Sequence, residues 1–197
     1  MDRQAIMGSV PVFYAATEGH TKLIAEQIAS TFRGQGLDSE ACALSEDMPT
    51  LNWPDVRDVV LGASLHGGSH QKTAVEFARH EASHLAVRPS AFFSVSLSAG
   101  SRKPAEVEVT RALAAASVKA AGWRPSRVAC FAGKLAYSQY GLFKRQIMRF
   151  IAWREGAPPD TRRDYEFTDW AAVRRFALDV AAAVHELERL AEMRAAV

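Results

Sequence analysis

The sequence predicts an α/β protein built on a doubly wound, five-stranded parallel sheet in the order 2-1-3-4-5. Three observations predict it. Short, almost wholly apolar runs recur along the chain, the pattern of strands covered on both faces. Each clear run ends in a small, polar, glycine- or serine-bearing loop. Between the runs, apolar residues return at helical spacing. Alternating strands and helices joined by right-handed crossovers leave few arrangements, and five strands favour the 2-1-3-4-5 order.

The first strand is expected over Val10–Ala16, with Pro11 near its start, where a missing N–H costs least. Thr17-Glu18-Gly19-His20-Thr21 leads into a helix whose inner face carries Ile24, Ala25, Ile28, Ala29 and Phe32 and which ends at Gly34 and Gly36. Ser39–Leu44 is a weak, polar strand and belongs at a sheet edge. Asp58–Ala63 is a second buried strand, followed by the loop Ser64–His70. One helix should follow, burying Ala74, Phe77, Ala78, Ala82 and Leu85. Ala91–Leu97 is the next strand and Ser98–Lys103 its loop. Pro104 can open a helix, since its fixed φ suits the first turn; Val109, Ala112, Leu113 and Ala116 form its expected inner stripe. Val128–Gly133 is the last strand. The final helix starts near Asp169 and shows the strongest stripe: Val173, Phe176, Ala177, Val180, Val184 and Leu187.

Residues 1–197 read as one domain with an insertion, 135–168, before the last helix. That connection is far longer than a usual strand-to-helix loop. Within it, Leu142–Trp153 is helix-compatible: Phe143, Ile147, Phe150 and Ile151 share a face, and Lys144, Arg145 and Arg149 lie largely away from it. A basic amphipathic helix with Trp and Phe suits a membrane interface or an apolar substrate, and suits equally a helix packed on the core.

Composition excludes several classes. With 48% hydrophobic and 23% charged residues, neither disorder nor a fibrous protein is expected. A net charge of +2 gives no electrostatic footprint for nucleic acid. No apolar run is long enough to span a bilayer, and the first residues lack a signal-peptide core, so a cytosolic location is expected. Cys42 and Cys130 lack disulfide or metal spacing and read as buried thiols. His80 and His84 are one helical turn apart but lack a third ligand, so no metal is expected.

Ligands of such sheets sit outside the carboxyl ends of the strands, at the topological switch point. In Thr17–Thr21, Gly19 allows backbone N–H groups to approach an anion, the helix terminus adds partial positive charge, and Thr17 and Thr21 offer hydroxyls. The same residues could simply cap the helix. Neither a Walker A nor a dinucleotide fingerprint is present. Ser64, Leu65, His66, Gly67 and Gly68 could lie along a flat ring or form a plain turn, with His66 and His70 as surface or capping residues. Ser96, Leu97, Ser98 and Ala99 could flank the other side of such a ring. No side chain stands out as a catalytic acid, base or nucleophile.

Five segments resemble the flavodoxin-type, menaquinone-dependent protoporphyrinogen dehydrogenases. They are Thr17–Thr21 with Ile24-Ala25; Val60–Ser64; Pro89–Leu97; Trp123-Arg124-Pro125 with Ala132–Leu135 and Tyr137; and Asp160–Arg163 with Tyr165 and Phe167–Trp170. The last two are the most specific, since ordinary flavodoxins lack the insertion. The resemblance implies a flavodoxin-like fold and an FMN enzyme of haem biosynthesis that oxidises protoporphyrinogen IX and passes electrons to a quinone, peripheral on the cytoplasmic face of the inner membrane. It implies that Thr17, Glu18, Gly19, His20 and Thr21 hold the phosphate. Ser64–Gly68 and Ser96–Ala99 would flank the ring, and Tyr137, Tyr140 and Arg145 would touch substrate. Ala15 and Ala16 depart from the Ser or Thr usual in related phosphate loops, and Gly67 from an aromatic residue that relatives can place beside the ring. The alternatives are a flavodoxin electron carrier and an FMN-dependent NAD(P)H:quinone reductase. The slightly basic chain speaks against the carrier, which docks through acidic surfaces. A homo-oligomer is compatible with all three.

Overall fold

Alternate residues of the first strand, β1 (Val12–Ala15), enter two different cores, and the whole architecture follows from that division. The computed structural model describes residues 9–16, 19–45, 48–135 and 165–196. In these, β1 is followed by α1 (His20–Gly34), β2 (Ala41–Ala43), β3 (Val59–His66), β4 (Ser69–His70), α2 (Lys72–His80), α3 (Ala82–Leu85), β5 (Ser90–Ser96), α4 (Pro104–Ala120), β6 (Arg127–Ala132), β7 (Lys134–Leu135), β8 (Tyr165–Glu166) and α5 (Trp170–Ala195). Five strands pair in parallel in the order β2-β1-β3-β5-β6, so the expected 2-1-3-4-5 sheet is present. Two small ladders add to it: β4 folds back antiparallel on β3, and β7 pairs with β8.

Val12, Tyr14, Val60, Ala91, Phe93, Val95 and Phe131 face α1 and α5, where they meet Ile24, Ile28, Phe32, Val173, Phe176 and Val180. Phe13, Ala15, Val59, Leu61, Ala63 and Phe92 face the other way, onto Ala74, Phe77, Ala114, Val118 and Trp123. The central strands are therefore buried on both sides, as their unbroken apolar runs require.

Gly62 stands opposite Phe93 in the β3–β5 ladder. A Cβ at Gly62 would lie 1.9 Å from Phe93 Cζ, so the phenyl ring occupies the space that a side chain on β3 would need. Phe93 then contacts Phe131, and Phe131 packs edge-on against Phe176 of α5, at centroid separations of 6.0 and 5.7 Å. One missing Cβ thus sets the distance between the middle of the sheet and its last helix.

Several expectations are corrected. The α4 stripe is Thr110, Ala114 and Val118, while Val109 is 59% exposed and Ala112 and Ala116 face solvent. An Ala-rich helix has little contrast between its faces, and the Thr110 hydroxyl satisfies itself on the Glu106 carbonyl, so burying it costs little. The helix expected after residue 72 is two helices broken at Glu81, whose buried carboxylate accepts from Trp53 Nε1 at 3.0 Å and bonds His80 Nδ1 at 2.8 Å. His80 is solvent-exposed as expected, but the His84 ring stacks on Trp53 at 4.5 Å. Leu187 is 45% exposed because α5 runs about 39 Å, past the end of the sheet it covers. Cys42 and Cys130 are half-buried rather than buried, and partial burial raises both thiol pKa values.

Asp58, at the amino end of β3, is buried with Oδ1 lacking a partner among the described residues. Burial raises its pKa to about 7, against a hydrogen bond from Val59 N–H and the charge of Arg127. A carboxyl whose folded pKa lies above its unfolded value stabilises the fold most at low pH and loses that contribution as pH rises through about 7.

Both features can be tested by substitution. Gly62→Ala should lower the urea-unfolding free energy by roughly 2–4 kcal/mol, and Phe93→Leu in the same chain should recover part of the loss. Asp58→Asn should raise unfolding stability at pH 8 by roughly 1–4 kcal/mol. The difference between variant and parent should vanish below pH 4; a gain equal at both pH values would sink the assignment.

Candidate functional site

The carboxyl ends of β1, β3 and β5 lie side by side, so the loops leaving them share one edge of the sheet. At β1, the chain turns into α1 through Gly19, whose φ of 79° is left-handed. Space around a Cβ at Gly19 is open, so the backbone conformation, not crowding, calls for glycine. Gly19 is the N-cap and has no side chain to offer the first-turn N–H groups, and no acidic residue occupies that turn. Among the described residues no side chain caps this end of α1, and its terminal N–H groups make it an electropositive terminus suited to an anion. Thr17 and Glu18 lie outside the described residues; Thr21 is buried in the first turn.

His20, only 7% exposed, is held at one nitrogen. Its Nε2 is 2.6 Å from Thr168 Oγ1, and the Thr168 hydroxyl donates to the Ala132 carbonyl at 2.8 Å. The single hydroxyl proton is thereby committed, so Nε2–H must be the donor to Thr168. Nδ1 is left buried without a partner among the described residues. Burial lowers the His20 pKa, with Glu166 opposing and Lys134 adding to the shift, so the ring is neutral near pH 7. The Trp170 ring meets it edge-on at 5.9 Å.

The segment after β3 is not a loose loop. Leu65 pairs with His70 and His66 with Ser69, and Gly67 and Gly68 turn the hairpin at φ 56° and 83°. Positive φ at both central positions is what a two-residue turn matching strand twist demands. His66, Gly67 and Gly68 are exposed at its tip, Leu65 is half-buried, and Ser64 at its base is buried with Oγ unpartnered.

His70, expected on the surface, belongs to the core. Its Nε2 is 2.8 Å from Ser94 Oγ and its Nδ1 2.7 Å from Ser117 Oγ, tying β4 to β5 and α4. Burial lowers its pKa to about 4, and a neutral ring with one hydroxyl donating and the other accepting satisfies all three groups. Its glycine-rich, polar sequence neighbours hid this role, because Ser94 and Ser117 are remote in sequence.

After β5, Ser96 is buried and its Oγ accepts from Ala99 N–H at 3.2 Å. Ser98–Gly100 form a 3₁₀ turn with Ser98 exposed and Leu97 and Ala99 half-buried. Gly133 N–H donates to the Ser96 carbonyl, which joins this turn to the end of β6. Tyr137, Tyr140 and Arg145 lie outside the described residues, as does the helix-compatible run 142–153. The β7–β8 ladder brings residues 135 and 165, the ends of that segment, together beside Gly133, whose carbonyl accepts from Phe167 N–H. No cluster of metal-ligating side chains and no helix able to cross a membrane occurs among the described residues.

Three buried side-chain atoms lack partners in the described residues: His20 Nδ1, Ser64 Oγ and Asp58 Oδ1. The first two sit at the carboxyl edge, and buried polar atoms left without partners there fit a polar ligand. The electropositive α1 terminus fits its anionic part.

Residues 11–162 match the family model described as flavodoxin domain. The chain is 33% identical over 171 residues to a protoporphyrinogen IX dehydrogenase [quinone] of Leishmania major, covering 87% of this chain and 74% of that one. It is 32% identical over 171 residues to the protein of the same name from Escherichia coli K12, covering 86% and 93%. Among solved structures, oxidised flavodoxin 1 of Bacillus cereus superposes with a TM-score of 0.55 at 14% identity, over 89% of this chain and 98% of that one. A WrbA-like flavodoxin of Agrobacterium tumefaciens does so with 0.51 at 11% identity, over 91% and 98%. The fold, the electropositive carboxyl edge and these similarities agree: the chain belongs to the flavodoxin-domain family and, within it, to the protoporphyrinogen IX dehydrogenases [quinone], a group of oxidoreductases.

Proposed function

We propose that the chain binds FMN at the carboxyl edge of its sheet and oxidises protoporphyrinogen IX to protoporphyrin IX, passing the electrons to a quinone. The observation that carries this is the identity of 32–33%, sustained over 86–87% of the chain, to proteins bearing that name. The unpartnered His20 Nδ1 and Ser64 Oγ, both at the edge where such sheets hold ligands, support the placement.

Bound there, the flavin would supply the redox chemistry, and the protein's part is to bind, orient and shield it. The first turn of α1, with Gly19, His20 and Thr21, would hold the phosphate; Thr17 and Glu18 complete the same segment in sequence. The β3–β4 hairpin and the Ser96–Ala99 turn would stand on either side of the ring. Ser64 Oγ, at the base of the hairpin, would gain a partner. Gly67 and Gly68, which have no side chains, would leave room beside the ring for an apolar reactant. Tyr137, Tyr140 and Arg145 are proposed to meet the porphyrinogen. The insertion, 135–168 in the sequence, is proposed as the part of a single domain that faces substrate, quinone or the bilayer, with the protein peripheral on the cytoplasmic face of the membrane.

The purified protein should show a flavin visible spectrum. Given protoporphyrinogen IX anaerobically, it should yield porphyrin fluorescence only when a menaquinone analogue is present. A flavin spectrum without porphyrin would favour an electron carrier, and rapid NAD(P)H oxidation a nicotinamide-fed quinone reductase. Failure to bind FMN at all would overturn the proposal.

A further inference from the structure

We propose that His20 is the phosphate-binding side chain of this site: on binding FMN its Nδ1 takes up a proton from solvent and donates it to a phosphate oxygen, while Nε2–H stays on Thr168. The inference rests on the flavin reading above and adds to it a proton that enters with the cofactor.

The geometry leaves Nδ1 little else to do. Nδ1 is bonded to Cγ, so it lies nearer the backbone than Nε2 does, and the ring stands on the first residue of α1, whose terminal N–H groups attract an anion. It is buried and unpartnered. The ring cannot rotate to relieve it without giving up the Thr168 bond, and Thr168 is itself tied to the Ala132 carbonyl. In the neutral ring Nδ1 presents a lone pair, and a phosphate oxygen presents lone pairs too. The two repel unless Nδ1 gains a proton, after which they form a charge-assisted hydrogen bond.

Among the described residues, the charged groups acting on the ring are Glu166 of β8 and Lys134 of β7, which act in opposite senses. Trp170 of α5 adds an uncharged edge, and Lys22 on α1 is exposed and paired with Glu26. Burial, not these opposed charges, therefore keeps the ring neutral without ligand, and the phosphate supplies the negative charge that would hold the proton. Glu18 is adjacent in sequence, so Glu18→Gln is the control for a second acid. Because Thr168 lies between β8 and α5, the same ring would tie phosphate occupancy to the point where the chain returns from residues 136–164.

The test compares FMN with riboflavin, which has no phosphate, binding the full-length apoprotein between pH 6.5 and 8.5. In that window the phosphate is mostly dianionic, so changes report the protein. Calorimetry in buffers of different ionisation enthalpy should show proton uptake with FMN and none with riboflavin, and FMN affinity should fall towards pH 8.5 while riboflavin affinity stays flat. His20→Gln should abolish the uptake and flatten the FMN profile, and His20→Ala should cut the preference for FMN over riboflavin about tenfold at pH 7. Glu18→Gln should leave the proton uptake in place. Should the His20 variants fail to fold, long-range ¹⁵N correlation spectra of the parent should show a neutral Nε2–H ring without ligand and an imidazolium with FMN. A neutral ring in the FMN complex, or His20→Gln with unchanged uptake, overturns this inference and leaves FMN binding standing; a parent that binds no FMN overturns both.

Discussion

The phenyl ring of Phe93 lies over Gly62, and the fold depends on that contact. The two residues are opposite each other on the central strands, on the face covered by α1 and α5. With no side chain on β3 at that point, Phe93 fills the space beside Tyr14 and passes the packing outward through Phe131 to Phe176. The last helix is thereby seated on the sheet, and with it Trp170 and Thr168, which hold His20. A packing constraint in the middle of the molecule thus extends to the polar edge where the site lies.

The polar groups of the sheet divide by end. At the amino end of β3, Asp58 is buried with a raised pKa, a cost that no ligand of the opposite edge can relieve. At the carboxyl end, His20 and Ser64 each keep one atom without a partner among the described residues, at the edge where we propose the flavin binds. Elsewhere, buried polar side chains are well matched: His70 joins two serines, Trp123 Nε1 donates to Ser90 Oγ, and Trp53 Nε1 to Glu81. Against that background the orphans at the carboxyl edge carry weight, because burying a polar atom without a partner is expensive and, among the described residues, occurs elsewhere only at Asp58 Oδ1.

The long, strongly periodic segments are legible in the sequence. Val10–Ala16, Asp58–Ala63 and Ala91–Leu97 are strands within a residue or two at most ends, apart from the longer run of β3, and the stripe of the last helix is buried from Val173 to Val184. The buried face of the weakly amphipathic α4 is not legible, since small residues and a self-satisfied threonine choose it. Gly67-Gly68 is legible as a turn but not as a hairpin, because pairing of Leu65 with His70 needs β3 to continue past its apolar run. Of the candidate site, Gly19, His20 and Thr21 can be placed at the first turn of α1 from the sequence. The role of Thr168 cannot, since it lies 148 residues from His20.

By itself, then, the sequence determined the order of elements, the parallel sheet and the loops at its carboxyl edge. All of these follow from local periodicity and the handedness of crossovers. The tertiary structure alone decided which atoms are satisfied: that His70 is a neutral core residue, that His20 is held by Thr168 with Nδ1 left over, and that Asp58 is stranded. Hydrogen bonding and desolvation are set by neighbours brought together from distant parts of the chain, and no pattern along one segment records them.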